Sequence, residues 1–77
     1  MPRPIIGYVT AVDYNTQGDM VGIDIDTNGD QMTDTSLNHK RISAQDEADV
    51  EEALYNDCEV TITYRTNTIT SVTNDCL

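Results

Sequence analysis

Two stretches of the chain alternate apolar and polar residues without a break. Over Met20–Asp26, Val21, Ile23 and Ile25 fall on one face, and Gly22, Asp24 and Asp26 fall on the other. Over residues 58–65, Val60, Ile62 and Tyr64 point one way, and Glu59, Thr61, Thr63 and Arg65 the other. A period of two is that of a strand half covered by a core. Ile5–Tyr14 is also a strand by its Ile, Val, Thr and Tyr content. Its Val9 and Val12 stand three apart, so they share a face only if the strand is bulged near Ala11. Residues 15–19 are a polar turn, and Thr66 with Asn67 turn the chain into a last strand, near 68–73, carrying Ile69 and Val72.

Between the strands the pattern changes. Asn28-Gly29 is a strong short hairpin signal, since both residues tolerate the positive φ of a type I′ turn. A two-residue turn there pairs Ile25 with Met32, sends Asp24 and Asp26 to the outer face, and makes 31–37 a polar edge strand. A helix comes next. Ser43 suits an N-cap, and Asp46, three residues on, gives a start like a capping box. Asp46, Glu47 and Asp49 lie in the first turns, where the helix dipole favours acids. Val50, Ala53, Leu54 and Cys58 form one apolar stripe, and Asn56 and Asp57 end the helix.

The expected order is therefore β-β-β-α-β-β. It predicts a β-rich α+β domain, a small five-stranded antiparallel sheet or OB-like barrel, with one helix near residues 44–57. This element order resembles the OB-fold, in which a helix falls between the third and fourth strands. The stretch Gly7-Tyr8-Val9-Thr10-Ala11-Val12 is similar to the bulged first strand of such barrels. With 77 residues, positions 1–77 make a single small domain.

Composition adds to this picture in two ways. The chain has no Trp and no Phe, so Ile and Val must supply a thin core. Its fourteen Asp and Glu stand against four Lys and Arg, for a net charge of −10. Duplex nucleic acid and anionic membranes are poor partners for such a surface. The acidity suits docking on a protein partner, or a high-salt habitat in which like charges are screened. No apolar run is long enough to span a bilayer and no signal-peptide core is visible, so a soluble, cytoplasmic protein is expected.

Three constellations are candidates for chemistry. The first is Asp24, Asp26, Asn28, Asp30 and Asp34 around Gly29, which looks like the first half of an EF-hand-type calcium loop. Such loops put oxygen side chains at positions one, three and five and Gly at six. With Asp24 first, Asp26, Asn28 and Gly29 fill those places, but Thr35 stands at twelve, where a bidentate Glu belongs. The second is Cys58 and Cys76. If Ile62 pairs with Val72, the two cysteines face each other across the last hairpin, at a separation that admits a disulfide. The third is His39-Lys40-Arg41, a basic patch before the helix able to hold an anion.

No nucleophile motif or Gly-rich nucleotide loop is present, and no enzyme is expected. The leading expectation is a non-catalytic acidic binding module for a protein partner, similar in size and charge to compact acidic regulators of viruses and mobile elements. One alternative is an OB-type single-stranded nucleic-acid binder from a high-salt organism. It requires Tyr8, Tyr14 or Tyr64 to sit beside Lys40, Arg41 or Arg65, since single strands bind by stacking within basic grooves. The other is a calcium-stabilised structural domain. Exposed edge strands would let any of these form homo-oligomers.

Overall fold

The computed structural model describes residues 4–76, so the leader at positions 1–3 and Leu77 lie outside the described residues. Its elements are β1 (Ile5–Tyr14), β2 (Met20–Asp26), β3 (Thr35–Asn38), α1 (Ala44–Asn56), β4 (Glu59–Arg65) and β5 (Thr68–Asn74). The strands form one antiparallel sheet in the order β3-β2-β1-β4-β5. This is a small β-rich α+β domain in the expected element order. No helix is long and apolar enough to cross a membrane.

The core comes from the alternating positions. Ile23, Ile25, Val60 and Ile62 are fully buried, and Val9, Met20, Leu37, Ile69 and Val72 nearly so. The bulge required by Val9 and Val12 is present: the β1–β2 register slips between Val9 and Ala11, which returns Val12 to the core side. In β2 alternation fails as a guide to burial. Gly22 and Asp26, on the supposedly outer face, are buried as well.

The helix starts as its sequence implies. The Ser43 hydroxyl accepts from the backbone N–H of Asp46 at 3.1 Å, and Asp57 closes the far end in the left-handed region at φ 54°. Val50 and Ala53 face the core, with Leu54 and Cys58 packed beside them. Two polar clamps hold α1 on the sheet. Asn74 Nδ2 donates to the Asp49 carbonyl and to Glu52 Oε1, both at 3.0 Å. Tyr14 donates its hydroxyl to Glu51 at 2.6 Å, and that bond to a carboxylate pushes the Tyr14 phenol up to about 12.

The expected two-residue turn at Asn28-Gly29 is not formed. Ile25 pairs with Thr35, not Met32, and the return strand is only Thr35–Asn38. Residues 27–34 form an eight-residue loop instead. The side chain of Asp26 gives the physical reason, because it offers the backbone a better set of hydrogen bonds than a tight turn leaves available. The last hairpin has the expected register. Ile62 pairs with Val72 and Val60 with Asn74, and Thr66 and Asn67 both take the positive φ of the turn.

Past β3 the chain crosses to the other outer strand. Arg41 makes a parallel bridge with Thr68 of β5. Lys40 N–H donates to the Asn67 carbonyl at 2.7 Å, and Ile69 N–H donates to the Arg41 carbonyl at 2.8 Å. The link that follows edge strand β3 is thereby bonded to the start of the other edge strand, β5.

Candidate metal centre

The loop of residues 27–34 is organised around one carboxylate. Asp26 is 2 % exposed and accepts from three backbone N–H groups: Asn28 at 2.9 Å, Gly29 at 2.8 Å and Gln31 at 2.7 Å. Burial by itself would raise the Asp26 pKa. Those N–H groups, with that of Asp30, outweigh it and hold the carboxyl below its usual range. Gly29 and Gln31 both take positive φ, 74° and 68°, which lets successive N–H groups turn toward Asp26.

A second carboxylate ties the loop shut. Asp34 accepts from Thr27 N–H at 2.9 Å, from the Thr27 hydroxyl at 2.7 Å and from the Thr35 hydroxyl at 2.8 Å. The hydroxyls of Thr27 and Thr35 are the main reason its pKa lies below the ordinary value. Asp34 N–H donates to the Ile25 carbonyl at 3.0 Å, and the Thr33 and Thr10 hydroxyls meet at 2.6 Å, fastening the loop to β1. The third carboxylate, Asp30, accepts from Met32 N–H at 3.0 Å.

These bonds bring the three acids together. One oxygen each from Asp26, Asp30 and Asp34 lies within 4.8 Å of the other two. The candidate set is thus narrower than the sequence implied, and its frame moves by two residues. Asp24 is not part of it; it pairs with Ser36 across the β2–β3 ladder and accepts from the Ser36 hydroxyl at 2.8 Å. With Asp26 as position one, Asn28 is three, Asp30 five, Gln31 six, Met32 seven and Asp34 nine. An EF-hand-type loop draws ligands from positions one, three, five and nine, and from a main-chain carbonyl at seven. It also needs a sharp turn at six, where Gln31 has its positive φ. Position twelve is Leu37, buried in the core, so the closing bidentate carboxylate is absent from this frame. A cleft of about 550 Å³ runs from Asp26, Gly29 and Gln31 past Tyr8 to Asp57.

Strand β1 fits against this centre through Gly7. A Cβ there would run into the Asp26 carbonyl oxygen and the Ile25 side chain, so only glycine lets β1 pass. Sequence reasoning missed both Gly7 and the Asp26 frame. The four-residue spacing of Asp26, Asp30 and Asp34 was the available signal for the frame.

The other candidates fall elsewhere. Cys58 and Cys76 are joined in a disulfide with their Cα atoms 5.4 Å apart, at the open end of the last hairpin. The patch His39-Lys40-Arg41 divides. Lys40 and Arg41 are exposed, but His39 is buried at 4 % exposure, so the three do not act as one solvated anion site. The residue alternates with Leu37, which turns it inward. Tyr8 and Tyr14 sit beside acids, Tyr8 paired with Asp26 and Glu59 and Tyr14 bonded to Glu51. Tyr64 pairs with buried Ile69, whereas Arg65 and Arg41 both pair with Thr68. The β4–β5 register shifts between Thr63 and Tyr64, and Tyr64, expected to point inward, is 39 % exposed. Its neighbour Arg65 and Arg41 are exposed as well.

A comparison of the chain with protein-family models, curated proteins and solved structures finds no match.

Proposed function

We propose that this is a non-catalytic domain whose β2–β3 loop binds calcium and is stabilised by it. The convergence of Asp26, Asp30 and Asp34 within 4.8 Å carries this reading. Among the described residues no Lys or Arg is paired with any of them. Three carboxylates at such a distance repel unless a cation or solvent screens them. Hard oxygen donors at loop positions one, three, five and nine suit calcium better than softer metals. The missing twelfth ligand puts the affinity in the weak class, roughly 10⁻⁴–10⁻³ M.

Calcium titrated to about 10 mM, some ten times the weakest affinity in that class, should move amide NMR signals of residues 26–34 and few others. Asp30→Asn should weaken the response at least several-fold while leaving the fold intact, since Asp30 is exposed and makes only the bond to Met32. Absence of any localised shift would overturn the proposal.

A second reading rests on α1. The helix carries Asp46, Glu47, Asp49, Glu51 and Glu52 with no basic residue, and Tyr55 stands 80 % exposed among them. Glu51 and Glu52 also bond Tyr14 and Asn74 of the sheet, respectively. The acidic helix as a whole suits a basic protein surface with Tyr55 as its aromatic anchor. The loop and the helix are separate features, and both readings can hold together.

A further inference from the structure

The link from β3 to α1, residues 39–43, holds a buried imidazole next to the contact between this link and the start of β5. His39 is the chain's one histidine. Its backbone N–H donates to the Val21 carbonyl at 3.1 Å, yet neither Nδ1 nor Nε2 of its ring has a hydrogen-bond partner. The next two residues make the contact with β5: Lys40 N–H on Asn67, Ile69 N–H on Arg41, and the Arg41–Thr68 bridge.

A neutral imidazole has one donor and one acceptor, and burying it with both unmet is unfavourable. A protonated ring would be worse, because it brings a charge and a second donor to the same place. The Met20 and Leu37 backbone and Glu47 offset that cost only in part, since burial outweighs them. We propose that His39 is the catch of an acid-sensitive latch, whose protonation turns the ring out to solvent, lifts residues 39–43 and opens the Arg41–Thr68 bridge.

The surroundings set the direction of the response. Burial pulls the His39 pKa below the ordinary 6.5, while the backbone at Met20 and Leu37 and the charge of Glu47 on α1 pull weakly the other way. Asp19 precedes Met20 in the β1–β2 turn, and Lys40 and Arg41 follow His39 in the link. The closed form thus binds the proton less well than the open one. The latch is at full strength above pH 6.5 and weakens as pH falls through the folded-state pKa.

An NMR titration from about pH 7.5 to about pH 4.5 can follow the His39 ring signal and amide exchange together, with exchange corrected for its intrinsic pH dependence. Protection of the Lys40 and Ile69 amides should fall as pH drops from 6.5 to the point where the ring signal titrates and then level off, by about tenfold for each unit between the folded and open pKa values. Amides in the middle of β1 and β2 should keep theirs. His39→Gln and His39→Leu, neither of which titrates, should remove the pH dependence. The latch is refuted if Lys40 and Ile69 stay protected down to the pH at which the ring titrates, or if all strands lose protection together. Persistence of the same pH-dependent loss in a folded non-titrating variant would refute it as well.

Discussion

At Gly7 the side chain is missing because the main chain of β2 occupies its place. The obstructing atom is the carbonyl oxygen of Asp26, which belongs to the backbone and cannot swing aside. Gly7→Ala should therefore push β1 from β2 beside the candidate metal centre and cost on the order of 1–3 kcal/mol, the usual range for overpacking. Urea denaturation of the two proteins measures this directly. An unchanged midpoint would mean that the strands have slack at this point. Nothing in the local sequence announces the constraint, since Gly7 sits in an ordinary strand pattern and its neighbour comes from nineteen residues further on. Asp26 was hard to read for a related reason. Alternation places it on the outer face, and the rule holds for its direction but not for its burial, because the loop folds back over it. Only knowledge of where residues 27–34 go reveals that the carboxylate is covered.

At the scale of elements, the strands and helix with repeating patterns were legible and the loop was not. The pairs Val60 and Ile62 on β4 and Ile69 and Val72 on β5 fix their register through the core, because a slip of one residue would turn them all to water. Ser43 and Asp57 likewise mark helix ends by the bonds their neighbours need. The Asn28-Gly29 signal misled, since a local turn preference competes with three backbone bonds to one carboxylate, each worth about 1.5–3 kcal/mol. The disulfide follows from the well-read hairpin: with Ile62 on Val72, Cys58 comes to face Cys76. It closes a loop with a sequence separation of 18. Cys76→Ser should lower stability by about 2–4 kcal/mol, by loosening the unfolded chain. Chemical denaturation of the wild type with and without reductant provides the matching control. A variant as stable as the wild type, or a reductant that changes nothing, would remove the bond from the account of stability.

The whole molecule faces a problem that neither residues nor elements show singly, which is a net charge of −10 on 77 residues. Like charges over so small a surface oppose the compact state, and dissolved salt relieves them within about a Debye length. The melting midpoint should therefore rise between low and molar NaCl. A flat or falling midpoint would mean that acidic repulsion is not a material term in stability. Calcium separates the general effect from the local one, because a bound ion stabilises by mass action as well as by screening. At about 10 mM, the dissociation constants expected for the Asp26, Asp30 and Asp34 loop correspond to roughly 1.4–2.7 kcal/mol. Magnesium, smaller and slow to give up its water, should do much less in a loop that must fold around its ligand. The comparison is thus three melts at one ionic strength, in NaCl, MgCl₂ and CaCl₂. Equal midpoints in all three would leave screening as the whole effect and remove the calcium reading. A higher midpoint in calcium alone, lost in Asp30→Asn, would assign the extra stability to the loop.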